Sequence, residues 1–372
     1  MKKIASILLS VVIGSFPIQE AHVTARGDKE QQRSTLRRTE QLPLCTKPTT
    51  KCPYDKSYKR SCKSKANKPP YLPKVDEDKL LKDLVSLLHG KRIALIGDSL
   101  TRQWFEMLSC RLGLALHFFD THKPLPIRLQ QAKEYGTEIV DLHVPPESFT
   151  EKGKHARGYA VSKVDSNNYR NNNCRTPDIV LEYYHHDSVD FNINSVLDFA
   201  AEYADLVVIN LGFHNQINRC VVPTLYDCPD YQKQIEDIFQ RCGKINKGQH
   251  GRCFFRETTP QHFVLKKGSD FHGAGSYDPA YLDTTKCGPI TNIEGSGSHA
   301  VNQIANMLSK EYDVPIVHIE SELIDAWRWH LKKSDLWDCS HFCQDNEVWD
   351  LFHRGLVTAE EMHLLNTAED IY

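Results

Sequence analysis

Residues 93–110 read Ile93-Ala94-Leu95-Ile96-Gly97-Asp98-Ser99-Leu100-Thr101-Arg102-Gln103-Trp104-Phe105-Glu106-Met107-Leu108-Ser109-Cys110. An apolar run halts at Gly97-Asp98-Ser99. Leu100, Trp104, Met107 and Leu108 then recur at i, i+4, i+7 and i+8, the stripe of a helix that packs on a sheet. A strand that stops at a glycine and turns into a helix presents the turn at the carboxyl edge of a sheet. There Ser99 faces backbone N–H groups and the positive end of a helix dipole. These are the fixed donors that an oxyanion requires, so the pattern marks Ser99 as a nucleophile for acyl transfer. The turn lacks Gly-x-Ser-x-Gly and so belongs to a serine-esterase arrangement other than the α/β-hydrolase elbow. Arg102, three residues on, rises from the same side as the serine. It either brings charge to the mouth of the site or is a solvated helix-face arginine.

Near the other end stands Asp335-Leu336-Trp337-Asp338-Cys339-Ser340-His341-Phe342-Cys343. A spacing of three brings Asp338 and His341 to one side of a turn or helix. A carboxylate so placed can accept the imidazole Nδ1–H, fix its tautomer and stabilise the imidazolium formed when the ring takes a serine proton. Taken alone, Asp-x-x-His reads first as a capping aspartate beside a packed histidine. Coupled to Gly97-Asp98-Ser99, it reads as the second half of a triad.

Between these blocks, helical patterns alternate with short β-rich runs. Helices are predicted at 76–89, 100–112, 192–203, 231–241, 298–312 and 321–332. Strands are predicted at 93–96, 138–144, 178–184, 205–211, 253–257 and 314–319. Such alternation implies an α/β fold, a doubly wound and mainly parallel sheet flanked by helices, with chemistry at the carboxyl ends of its strands. The polar stretch 153–173 reads as a loop or insertion.

Composition bears on compartment. Met1-Lys2-Lys3, an apolar stretch to about Phe16 and small residues near Ala25 have the order of a secretory signal peptide over 1–25, with a short membrane anchor as the alternative. The chain's 12 cysteines are an even number, expected mostly as disulfides in an oxidising compartment, the Golgi lumen or outside the cell. Residues 26–75 hold 14 Lys/Arg against 4 Asp/Glu and read as a basic, poorly ordered stem; the chain's net charge is −2, so residues 76–372, the folded domain, are acidic. Nucleic acid is excluded as a partner by that location.

Gly97-Asp98-Ser99-Leu100-Thr101-Arg102-Gln103-Trp104, with Leu108 and Cys110, resembles the Gly-Asp-Ser block of the PC-esterase branch of the SGNH/GDSL superfamily. Within that branch it is similar to the plant trichome birefringence-like polysaccharide O-acetyltransferases. Asp338-Cys339-Ser340-His341-Phe342-Cys343, with Asp345 and Trp349, looks like that family's Asp-x-x-His block. Arg256-Glu257-Thr258-Thr259-Pro260-Gln261-His262-Phe263 resembles its Arg-x-x-x-Pro-x-His-Phe segment. The resemblance implies an SGNH-type sheet, a triad of Ser99, His341 and Asp338, and structural or substrate-lining places for Arg256 and His262. Where the family reads Asn-x-Gly-His-Trp, this chain has Asn210-Leu211-Gly212-Phe213-His214-Asn215. The Ser99 and Gly212 backbone N–H groups are therefore expected to hold the oxyanion, with Asn215 or Arg102 as side-chain donors.

No cofactor or metal is expected. Cys339-x-His341-x-Cys343 lacks a fourth ligand, His185-His186-Asp187 lacks a ligand set, and the glycines form no phosphate loop. The function expected is a serine O-acyltransferase moving acetyl from a small acyl donor to a polysaccharide or oligosaccharide hydroxyl. A carbohydrate acetylesterase with the same triad is the companion reading. A non-catalytic carbohydrate-binding or wall protein is the rival from another class.

Overall fold

A computed structural model describes residues 72–119, 159–164, 178–186, 191–212, 229–248, 251–266, 282–291, 297–333 and 336–369. The chain divides into Met1–Pro43 and Leu44–Tyr372, and every described residue falls in the second unit. The expected leader, most of the stem, the expected strand at 138–144, Asp187 and Asn215 lie outside the described residues. Among the described residues no helix is long and apolar enough to cross a membrane.

In chain order the elements are α1 (Glu77–Leu88), β1 (Lys91–Gly97), α2 (Ser99–Arg111), β2 (Leu114–Phe119), β3 (Tyr159–Val164), β4 (Ile179–His185) and α3 (Phe191–Tyr203). There follow β5 (Leu206–Ile209), α4 (Pro229–Asn246), β6 (Arg252–Arg256), β7 (Phe263–Leu265), β8 (Leu282–Cys287), α5 (Gly297–Tyr312) and β9 (Ile316–Val317). The chain then forms the short α6 (Glu320–Leu323), a 3₁₀ turn (Ala326–Trp329), β10 (His330–Lys333), β11 (Leu336–Phe342) and α7 (Asn346–Glu369).

Seven strands form the main sheet in the order β2-β3-β4-β1-β5-β6-β9. β4, β1, β5, β6 and β9 run parallel, and β2 and β3 add an antiparallel edge. The chain leaves β1 toward β4 on one side and returns to β5 on the other, which makes the carboxyl ends of β1 and β5 the switch point where such sheets open a crevice.

Burial on both faces explains the uninterrupted apolar runs of the central strands. Ile93 and Leu95 of β1 join Leu206, Val208 and Phe254 in a core shared with α1, α2 and α7. The alternate residues Ala94 and Ile96 join Val207, Ile209 and Phe255 against α3, α4 and α5. At the end of β1, a Cβ added to Gly97 would overlap the Thr101 hydroxyl and lie 2.7 Å from the Asn210 carbonyl oxygen. The backbone oxygen cannot give way, so Gly97→Ala is expected to cost about 1–3 kcal/mol of stability in denaturant unfolding.

Two expectations are corrected. Residues 321–332 do not form one helix: the chain breaks after Leu323, makes a 3₁₀ turn and enters β10, which pairs antiparallel with β11. Leu323, Ala326 and Trp329 are buried and keep a helix-like spacing of three, but from His330 onward the non-local pairing with β11 draws the chain into a strand. The stretch 153–173, expected as a loop or insertion, contains β3, which bridges β2 and β4. β7, β8 and the 24-residue α7 were not anticipated.

Cys242–Cys253 and Cys287–Cys339 are disulfides, Cys110 and Cys343 are also disulfide-bonded, and no described cysteine is free. A metal at Cys339, His341 and Cys343 is thereby ruled out, because the thiolates it needs are spent.

Candidate active site

The turn after β1 is built by Asp98. Its buried carboxylate caps α2, Oδ1 accepting from Leu100 N at 2.9 Å and Thr101 N at 3.3 Å. Ser99 is thus set as the first residue of the helix, partly exposed at the sheet's carboxyl edge. From β4, the Tyr183 hydroxyl lies 3.0 Å from the Asp98 carbonyl oxygen and 2.5 Å from His185 Nδ1, and His186 N donates to the Gly97 carbonyl.

Ser99 Oγ lies 2.7 Å from His341 Nε2, although 242 residues separate the two. His341 Nδ1 lies 2.8 Å from Asp338 Oδ2 and 3.0 Å from Oδ1. The three side chains therefore form one hydrogen-bonded chain, with His341 and Asp338 about three-quarters covered.

Asp338 and His341 share a side for a reason the sequence did not disclose. They stand on a strand, where a spacing of three ordinarily points side chains to opposite faces. The pairing of β11 with β10 jumps, however, from Asp338 opposite Leu331 to Phe342 opposite His330. The extra residues form a turn on the carboxylate itself, Oδ1 accepting from Ser340 N at 3.3 Å and His341 N at 3.2 Å. Burial pushes the Asp338 carboxyl up, but the hydrogen bond and charge of His341, with the two backbone donors, hold it below the usual carboxylate range.

Two bonds tie this segment to the serine's helix. Gln103, one turn after Ser99, donates Nε2–H to the Phe342 carbonyl at 3.1 Å, and Gln344 donates to Glu106 Oε2 at 3.1 Å. Trp349 of α7 donates Nε1–H to the Cys343 carbonyl at 2.7 Å.

The remaining expected residues are distributed differently. Gly212 follows β5, and any Cβ there would overlap the Thr258 hydroxyl, so glycine alone lets the chain pass. Thr258 is itself held by Asn302 through bonds of 2.7 and 2.9 Å. Arg102 is half-exposed and bonds Glu106 Oε1 at 3.0 Å along its own helix. Arg256 and His262, expected in structural or substrate-lining places, are both buried.

Arg256 instead runs beneath α2. It donates Nη2–H to Thr101 Oγ1 at 3.1 Å, with Trp104 and Phe352 rings 5.8 and 5.5 Å from its guanidinium carbon. Burial pushes its pKa down to about 10 against the pull of the Asp98 charge, so it remains a cation under the serine's turn. Of the tryptophans, Trp104, Trp349 and Trp329 are buried, whereas Trp327 and Trp337 keep partial exposure.

No protein-family model and no curated protein matches the chain. Solved structures of similar fold include a protein assigned to the SGNH hydrolases from Slackia heliotrinireducens, at 11% identity and a TM-score of 0.34, over 73% of this chain and 98% of that one. Others are the Axe2 acetylxylan esterase of Geobacillus stearothermophilus (13%, 0.30, over 74% and 94%) and the aryl esterase of M. smegmatis (12%, 0.31, over 74% and 100%).

Proposed function

We propose that this chain is a serine-dependent O-acyltransferase that moves acetyl groups from a small acyl donor onto hydroxyls of a polysaccharide or oligosaccharide. The observation that carries the reading is the 2.7 Å approach of Ser99 Oγ to His341 Nε2, backed by the Asp338 carboxylate. Ser99 Oγ bonds to the acetyl carbon as its proton passes to His341 Nε2. Collapse of the tetrahedral adduct breaks the bond to the donor's leaving group, which departs with that proton. A sugar hydroxyl then attacks acyl-Ser99, His341 takes its proton, and the second collapse returns the proton to Ser99.

Asp338 accepts Nδ1–H throughout and steadies the cationic ring. The oxyanion is assigned to the Ser99 and Gly212 backbone N–H groups. In support of the first, Asp98 takes the next two amides of α2 and leaves that of Ser99 at the helix's positive end. With water as the acceptor the same steps hydrolyse an acetyl ester, so carbohydrate acetylesterase activity uses every residue named. The disulfides fit an oxidising compartment, the Golgi lumen or the exterior.

The deciding experiment incubates the purified chain with an acetyl donor and oligosaccharides and follows acetylated sugar against free acetate. Acetylated sugar supports the transferase, acetate alone the esterase, and neither product, in protein that also fails to react with a serine-directed fluorophosphonate, the binding protein. Gln103→Ala removes one of the two ties between the serine's helix and the histidine's segment. It is expected to lower kcat about ten-fold with little change in KM or unfolding temperature, read from steady-state kinetics and thermal melts.

A further inference from the structure

Behind β11 lie two buried histidines that the chemistry above does not use. His262 Nδ1 lies 2.6 Å from His330 Nε2. The outer nitrogens both face backbone carbonyl oxygens, His262 Nε2 that of Ile324 at 2.9 Å and His330 Nδ1 that of His341 at 3.0 Å. A carbonyl only accepts, so each outer nitrogen must carry a hydrogen to make its bond. A neutral imidazole carries one N–H, and both rings have then spent theirs outward. Two lone pairs would face each other at 2.6 Å, an arrangement that a third hydrogen between the rings converts into a hydrogen bond.

We propose that His262 and His330 share one extra proton and act as positioning residues for His341. With that proton the pair holds the His341 carbonyl; without it, one of the two carbonyl bonds must be released. The surroundings suit such a role. Every residue of the bulge that carries His341 is tied to the same layer: Cys339 by its disulfide to Cys287 and by the His262 amide, Ser340 by Gln261 Nε2 at 3.0 Å, and His341 by His330. Phe342 stacks on the His330 ring at 4.5 Å, which fixes the ring plane. Among the described residues, Asp338 and His341, both on β11, are the other titratable groups that act on the pair; the Asp338 charge favours the proton and a charged His341 opposes it.

Burial pushes both rings toward their neutral forms, so the shared proton is held loosely and leaves as pH rises. Turnover should accordingly weaken on the alkaline side of the pair's midpoint. That consequence rests on the acyl-transfer reading, whereas the proton count does not.

The test uses the full chain with ¹⁵N-labelled histidine, followed by NMR over about pH 4 to 9. Expected are two rings that titrate together by one proton, with the His341 ring signals shifting at the same midpoint. Two neutral rings over the whole range, or His341 signals that ignore the midpoint, would overturn the proposal.

His262→Asn supplies the separating variant. Its amide N–H can donate to His330 Nε2, so His330 keeps its bond to the His341 carbonyl without any extra proton. On a small acetate ester, wild-type kcat is expected to fall about ten-fold across the midpoint, a fall that the variant lacks. Identical pH profiles for the two would refute the positioning role. Co-titration with His341 in a chain that turns over no ester would leave the pair standing and remove the acyl-transfer reading instead. Should the variant not fold, the wild-type spectra still decide.

Discussion

Ser99→Ala is expected to lower kcat about 10⁶-fold, to the level left by binding and oxyanion donors alone. The hydroxyl is the atom that bonds to the acyl carbon, and no neighbour on the turn can take its place. His341→Ala should cost about as much, and the double variant little more, because nucleophile and base fail as a unit. Stability should move by no more than about 0.5 kcal/mol for Ser99→Ala, since a partly exposed first-turn residue is exchanged for a good helix former. Stopped-flow detection of the acyl-enzyme burst, alongside denaturant melts of both variants, checks these outcomes. A burst that survives in Ser99→Ala would dismiss the acyl-serine mechanism.

Asp338→Asn should cost about 10⁴-fold in kcat. Oδ1 of Asp338 is already engaged by the Ser340 and His341 amides, which only an oxygen can satisfy. An asparagine must therefore keep its oxygen there and turn its amide N–H toward His341 Nδ1. The ring is then forced into the tautomer with its hydrogen on Nε2, donating to Ser99 Oγ instead of accepting from it. Because the turn survives, the fold should survive. Imidazole ¹⁵N shifts of the variant would reveal the tautomer directly, and wild-type kcat in Asp338→Asn would remove Asp338 from the proposed chemistry.

The sequence was most readable where the governing interactions are local. The apolar run of β1, the glycine that ends it and the stripe of α2 lie within 21 residues, from Lys91 to Arg111, and each follows from its own neighbours. The main helices on both faces of the sheet were legible for the same reason, except α7, whose long helix of moderate amphipathicity went unread. β3 was hidden because Tyr159–Val164 sits between polar residues and becomes a strand by pairing with β2 and β4. β10 was hidden because it carries a single apolar residue, Leu331, and only pairing with β11 chose the extended form.

The same division runs through the site. Residue type and spacing singled out Ser99, Asp338 and His341. Nothing of that kind marks Tyr183, Gln103 or His330, whose roles depend on partners far away in the chain: Gln103 meets Phe342 across 239 residues, and His330 meets His262 across 68. Arg256 and His262 drew notice as members of a motif, but a motif does not say which way a side chain faces. The structure buries both.

By itself, then, the order of residues determined the strand–turn–helix that exposes a hydroxyl, the pair of groups able to activate it, and the alternation that makes a parallel sheet. Those follow from backbone propensity and apolar periodicity, which act over one or two turns of chain. Only the tertiary structure decided that the hydroxyl and the imidazole meet, that a bulge aligns Asp338 with His341 on a strand, and that two buried rings stand behind them. Each of these is a contact between distant segments, fixed by the packing of whole layers and by the rule that buried polar groups find partners.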